Sequence, residues 1–343
     1  MTDQSMAVVI TTIQAPTRGV SAIAKQALSD GFSFIVVGDR KTPEGWSCEG
    51  ATYLSYSEQS NLPFEIASCI PANSYARKML GYLIAAQQGV RWLRETDDDN
   101  LPYDSFFATA PTSVRGRAPR MNCGWINAYS YFTDRFVWPR GFPLGQLHEG
   151  PVDSGATDPT VVESPLVFQS LADGDPDVDA IYRMTAPDTS EILFQERGDL
   201  VLSGKTWCPF NSQATTWPST LLPLMYLPST CSFRMTDIWR SFIAQRLLRG
   251  LNGNLVFTSA TVYQERNQHN LLNDFADEIE GYLGYERFVS VLEGTHISAT
   301  RAGLLEDIST LYNALIAEGF FSEGESFTLQ AWLTDMRSFG FGE

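Results

Sequence analysis

Three observations in the sequence predict an α/β fold with a mostly parallel central sheet flanked by helices. Strand-type and helix-type patterns alternate over the first hundred of 343 residues. The strand-type runs are unbroken and apolar rather than alternating, as expected of strands covered on both faces. The apolar fraction is 43% against 19% charged, which is ample for a packed core.

Residues 7–12 (AVVITT) form the first such run, rich in β-branched side chains. Residues 21–29 carry Ile23, Ala24, Ala27 and Leu28 at helical spacing. A second strand, 32–38 (FSFIVVG), ends in the polar stretch 39–45. A long amphipathic helix over 72–88 leads into a third strand, 90–96, which stops at three aspartates. Strand, helix, strand, helix, strand in that order is the pattern of parallel βαβ units. From about 107 to 232 the chain is rich in Pro, Gly and aromatic residues, predicting short strands and long functional loops, including the acidic segment 172–179. Helical patterns return at 237–248, 270–283, 301–318 and 328–337. The expected division is an α/β ligand-binding domain over 1–266 and a helical C-terminal subdomain over 267–343 packed on it.

With 24 Lys and Arg against 40 Asp and Glu, the formal net charge is −16, which disfavours nucleic acid as a partner. No apolar run has the length of a membrane span, and the first residues lack the basic start of a signal peptide. Five scattered cysteines form no CxxC pair. A soluble, cytoplasmic protein is expected, with a homo-oligomer left open.

The triplet Asp97-Asp98-Asp99 follows a buried strand directly, where ligands of open α/β sheets bind. Adjacent carboxylates repel one another unless a cation compensates them, and Mn²⁺ or Mg²⁺ shared with a diphosphate is the natural one. If the segment is extended, Asp97 and Asp99 converge while Asp98 faces elsewhere. The loop after the first strand, with Thr11, Thr12 and Gln14, and the loop after the second, with Asp39 and Lys41, share that sheet edge. They suit a nucleobase and ribose. Arg77 and Lys78 add cations suited to phosphate. Trp207, Trp217 and Trp239 suit stacking on a sugar face.

A first-strand loop, a second-strand Asp and a DxD after a later strand resemble the GT-A (Rossmann-related) glycosyltransferases. The segments VVGDRKTP, ETDDDN, GDPDVDAIYR, WCPFNSQAT, DIWRSFIAQRLL and YQERNQHNLLNDF, in that order, resemble STELLO-type proteins. A weaker resemblance is to reversibly glycosylated polypeptides, the UDP-arabinopyranose mutases, through the triple Asp, Arg140-Gly141-Phe142-Pro143 and Asp237-Ile238-Trp239.

The resemblance implies a metal-dependent transfer of sugar from a nucleotide-diphospho donor, a UDP-sugar first, to a hydroxyl of a glycan or other acceptor. It assigns Asp97, Asp99 and His269 to the metal. Thr11, Thr12, Gln14, Asp39, Lys41, Arg77, Asp98 and Arg140 fall to the donor, and Asp237 to the catalytic base. Arg140 is where readings diverge: a clamp in a transferase, a covalently glycosylated side chain in a mutase. A non-catalytic scaffold of a polysaccharide-synthesis complex is a third reading.

Overall fold

The computed structural model describes residues 6–149, 152, 154–163, 166–265 and 270–342. Strand β1 (Met6–Thr12), helix α1 (Arg18–Asp30), strands β2 (Ser33–Gly38) and β3 (Thr52–Leu54), the short helix α2 (Tyr56–Gln59), helix α3 (Lys78–Gln87) and strand β4 (Trp92–Thr96) follow in chain order. β1 runs parallel to both β2 and β4, with Thr12 beside Gly38 and Val9 beside Glu95. β3 extends the parallel block beyond β2.

The continuous apolar runs have a direct cause. Ala7, Val9, Ile35 and Val37 pack on one face with Met79, Leu80 and Leu83 of α3. Val8, Ile10, Phe34 and Val36 pack on the other with Val20, Ile23 and Ala24 of α1. With both faces covered, only Thr11 and Ser33, near the ends of the two strands, are left partly exposed. Helix α1 is bounded by its Thr17 cap, which accepts from the Val20 N–H, and by Gly31 at φ 77°.

The helix expected from residue 72 begins later. Asn73 sits at φ 54°, which interrupts a right-handed helix, and Tyr75–Arg77 is a 3₁₀ turn before α3 starts at Lys78. That turn carries Tyr75 to the sheet edge.

The middle of the chain extends the sheet with β5 (Asn100–Pro102), β6 (Ser113–Pro119), β8 (Thr157–Glu163), β9 (Leu166–Gly174), β10 (Leu200–Leu202) and β12 (Ala214–Pro218). It also forms the side pair β7 (Cys123–Trp125) and β11 (Lys205–Trp207), and helices α4 (Tyr129–Phe132) and α5 (Ala180–Thr185). Helix α6 (Thr236–Gly250), strand β13 (Asn254–Gln264) and helices α7 (Leu271–Gly294), α8 (Leu304–Ala317) and α9 (Glu325–Ser338) complete it. Among the described residues the sheet order is β3-β2-β1-β4-β12-β9-β13-β10-β6-β8, with β5 on β13. β12 is antiparallel to β4, and the far half of the sheet is mixed. The α/β class and the helical C-terminal part are as the sequence predicts.

The C-terminal helices are stitched to the α/β layers by buried carboxylates that accept backbone N–H groups. Asp335 of α9 receives Glu65 N at 2.8 Å and Ile66 N at 3.0 Å. Glu325 receives Thr230 N at 2.9 Å and the Tyr226 hydroxyl at 2.5 Å. Leu311 and Trp332 belong to the same apolar core as Val9 and Ile35. Trp207, Trp217 and Trp239, expected to stack on a sugar, are instead core side chains at 2%, 0% and 0% exposure. Their rings supply bulk between α6 and the layers around it, and none faces solvent. Among the described residues no helix is long and apolar enough to cross a membrane.

Candidate active site

A cavity of about 390 Å³ opens at the carboxyl ends of β1, β2 and β4. Its wall includes Thr11, Thr12, Asp39, Lys41, Arg77, Asp97, Asp98, Asp99, Arg140 and Asp237, so ten of the residues singled out in the sequence converge there. Gln14 is exposed beside the cavity rather than in its wall, and its backbone oxygen accepts from the Trp46 indole. His269 lies outside the described residues.

The triple aspartate is in a turn, closed by Asn100 N to Asp97 O, rather than in extended chain. All three side chains therefore reach the cavity, Asp98 included, and each has its own partner. Asp97 Oδ1 accepts from the Tyr75 hydroxyl at 2.8 Å and from Lys78 Nζ at 3.3 Å. Asp98 Oδ2 accepts from the Thr12 hydroxyl at 2.5 Å. Asp99 Oδ2 accepts from Gln264 Nε2 at 3.1 Å. Loss of water raises Asp97 and Asp98 above the usual carboxylate range. Loss of water, with the Asp97 charge beside it, pushes Asp99 up to about 7.

Lys78 is fully buried and gives its ammonium to Tyr75 Oη at 2.7 Å and Thr96 O at 2.7 Å, besides Asp97. It is a counter-ion inside the wall rather than a hand for phosphate. Arg77 is likewise committed. Its guanidinium bonds Gln59 and the Ile70 carbonyl (2.9 Å), and stacks over Tyr56 at 4.5 Å. Asp39, 8% exposed, accepts from Arg40 N (2.7 Å), Asn73 N (2.9 Å) and Ser74 N (3.1 Å). It fastens the loop that carries Tyr75, and keeps one of about four carboxylate acceptor positions for a ligand.

On the opposite wall Arg140 is gripped by two carboxylates. It donates to Asp177 at 2.7 and 2.8 Å and to Asp237 at 3.0 and 3.1 Å, and also to the Arg234 carbonyl. Burial alone would lower its basicity, yet Asp177 and Asp237 hold it well above the ordinary guanidinium value. Gly141, at φ 91°, lets the chain turn there, and a Cβ would lie 2.6 Å from Ile238. Asp237 lies in the first turn of α6, and its Oδ2 also accepts from Ser212 N and Ser212 Oγ, both at 3.2 Å.

One layer deeper, Glu95 of β4 and Arg240 of α6 form a buried pair at 2.8 and 2.9 Å. Trp217 and Tyr82 also donate to Glu95. Although burial opposes it, Arg240 holds Glu95 below the usual carboxylate range. Glu95 lies two residues before Asp97 and Arg240 three after Asp237, so this pair fixes the two walls relative to each other.

Sequence reading missed Tyr75, Ser212 and Gln264 as parts of the site. Tyr75 fell inside an expected helix, and Ser212 and Gln264 acquire meaning only through long-range pairing: β12 runs antiparallel to β4, and β13 antiparallel to β5, with Gln264 opposite Asn100. Of the acidic segment 172–179, Asp177 reaches the cavity, Asp175 pairs with Arg183, and Asp179 caps α5.

Residues 234–342 match the family model of the STELLO glycosyltransferases. The chain is similar over 97% of its length to Probable glycosyltransferase STELLO2 of Arabidopsis thaliana, at 27% identity, and to STELLO1 of the same plant, at 26%. It spans 45% and 44% of those proteins, less than half of either. The stretch matching the STELLO model includes Asp237, Arg240 and Gln264, and the wider STELLO similarity takes in the triple aspartate. Among solved structures, glucosyl-3-phosphoglycerate synthase from Mycobacterium tuberculosis aligns over 84% of the chain and 78% of its own. Identity there is 12% and the TM-score 0.39. One crystal structure of that enzyme holds Mn²⁺, UDP-glucose and glycerol 3-phosphate.

Proposed function

We propose that this chain is a glycosyltransferase that moves a sugar from a nucleotide-diphospho donor, a UDP-sugar first, to an acceptor hydroxyl with the help of a divalent cation. The observation that carries the reading is one cavity holding the triple aspartate on one wall and the Arg140–Asp237 pair on the other. Similarity to the STELLO proteins supports it.

Among the described residues no three His, Cys, Asp or Glu groups form a complete metal cage. The donor set nevertheless fits a cation shared with a ligand: hard carboxylate oxygens at the cavity, where burial and then the neighbouring Asp97 charge push Asp99 up to about 7. Mg²⁺-type sites commonly use one or two carboxylates and complete the shell with phosphate oxygens and water. Asp97 and Asp99 would hold the cation, which supplies charge neutralisation for the departing diphosphate. Thr11, Thr12, Lys41 and the remaining acceptor position of Asp39 orient the nucleoside. Asp237 Oδ1, which holds only Arg140, takes the acceptor proton, while Oδ2 is fixed by Ser212. A mutase that glycosylates Arg140 fits less well, because its guanidinium is buried, doubly paired and held as a cation.

The test is thermal stability with UDP and other nucleoside diphosphates, with Mn²⁺ or with EDTA, followed by release of UDP from UDP-sugars with and without sugar acceptors. Stabilisation that needs Mn²⁺ and disappears in Asp97→Asn is expected. Equal stabilisation in EDTA, or a sugar adduct on the Arg140 peptide, would overturn the reading.

A further inference from the structure

The two walls of the cavity are joined by a chain of hydroxyl groups. Tyr75 Oη lies 2.8 Å from Asp97 Oδ1 and 2.5 Å from Ser212 Oγ, and Ser212 Oγ lies 3.2 Å from Asp237 Oδ2. Lys78 Nζ, which can only donate, occupies one lone pair of Tyr75 at 2.7 Å. The three contacts Asp97–Tyr75, Tyr75–Ser212 and Ser212–Asp237 therefore have only two protons between them, one on each hydroxyl. The Tyr75–Ser212 contact needs one of the two.

Two arrangements satisfy that count. In the first, Tyr75 donates to Asp97 and Ser212 donates to Tyr75, leaving Asp237 Oδ2 with Arg140 and the Ser212 N–H. In the second, Tyr75 donates to Ser212 and Ser212 donates to Asp237, leaving Asp97 Oδ1 with Lys78 alone. A cation on Asp97 repels the Tyr75 proton and selects the second arrangement.

We propose that Tyr75 and Ser212 are positioning residues that couple cation occupancy at Asp97 to the orientation of Asp237, so that loading the donor sets the acceptor-side carboxylate. This rests on the transferase reading above. Coupling of this kind is reciprocal: a change at Asp237 must be felt in cation affinity at Asp97, through the hydroxyls. Tyr75 is half-buried and packs edge to face with Phe233, ring centroids 5.6 Å apart, so Tyr75→Phe keeps that packing and removes only the hydroxyl.

The experiment is a double-mutant cycle on binding. Mn²⁺ affinity is measured calorimetrically in the presence of UDP for wild type, Asp237→Asn, Tyr75→Phe and the double variant. Asp237→Asn weakens Mn²⁺ binding directly through space in both backgrounds. The hydroxyl chain adds a further loss of about fivefold that is present only when Tyr75 keeps its hydroxyl. Ser212→Ala should behave as Tyr75→Phe does, and Ser212→Thr, which restores a hydroxyl, should recover the coupling. Equal effects of Asp237→Asn in both backgrounds, within about twofold, would overturn the coupling while leaving the transferase reading in place. Loss of coupling in Ser212→Thr as complete as in Ser212→Ala would also overturn it. Absence of any Mn²⁺ and UDP binding in wild type would overturn both.

Discussion

Asp99 and Asp179 are both carboxyl groups pushed up to about 7, chiefly by burial, and both make a pH-dependent contribution to stability. A raised carboxyl pKa means that the folded protein keeps a proton which the unfolded chain releases near pH 4. The stability linked to that proton is fully present below the unfolded value and is lost as pH rises through 7. The melting temperature in EDTA is thus expected to fall from about pH 4 to about pH 7. Asp179→Asn combined with Asp99→Asn should flatten that slope, and an unchanged slope in the pair would count against these assignments. Lys78 provides a second test. Lys78→Met leaves Asp97 without its internal cation; because the Asp97 side chain is 34% exposed to the cavity, the loss is expected to fall below the ~3–5 kcal/mol of a fully buried pair. Urea unfolding of Lys78→Met against wild type measures it, and Mn²⁺ should restore part of the loss. Of these residues the sequence disclosed the aspartates, because three in a row after an apolar run are conspicuous. It could not disclose that Lys78, Arg77 and Asp39 are largely taken up by the chain itself, since their partners lie up to 134 residues away, as Ser212 does from Lys78.

At the scale of elements, the site depends on two close fits. The N-terminal turn of α1 lies against the strand that follows the aspartates, and a Cβ on Gly19 would come within 2.2 Å of the Asn100 carbonyl oxygen. Backbone cannot yield as a flexible side chain does, so Gly19→Ala is expected to shift the aspartate turn. Mn²⁺ affinity should drop by about tenfold or more, equivalent to about 1.4 kcal/mol, with less effect on stability than on binding. Unaltered affinity would show that α1 does not set the turn. The second fit is the Glu95–Arg240 pair between β4 and α6. Arg240→Met should destabilise by about 3–5 kcal/mol, and Glu95→Gln added to it should recover much of that, because the orphaned charge is removed. Chemical denaturation of the single and double variants decides it. The elements were legible where a pattern is local: β1, β2, β4, α1, α6, α8 and α9 lie close to their expected bounds, while α7 runs on to Gly294, past the expected end at 283. The 3₁₀ turn before α3 was hidden because a left-handed Asn73 leaves no mark in apolar spacing. The mixed half of the sheet was hidden because its strands pair across long separations.

For the molecule as a whole, helices α7 to α9 share one apolar core with β1, β2 and α3, and Asp335 and Glu325 tie them to loops of the α/β layers. Calorimetry is expected to give a single unfolding transition, with Asp335→Ala lowering its midpoint rather than splitting it. An orphaned pair of backbone N–H groups costs about 1–3 kcal/mol for each. Two resolved transitions would make the helical part an independent unit.

The cavity wall carries seven carboxylates against five cations, and each of its arginines already faces a carboxylate of the chain. Among the described residues only Lys41 in that wall lacks such a partner. An unaccompanied diphosphate approaching from solution is therefore repelled by the wall and by the net charge of −16. A diphosphate that has already taken up a divalent cation arrives with most of its charge cancelled. Ionic strength then acts unequally on the two forms: salt eases entry of the bare anion by screening and changes little for the cation complex. On the proposed transferase reading, the wall sorts a bare diphosphate from its cation complex by charge state in free diffusion, before any hydrogen bond to either can form.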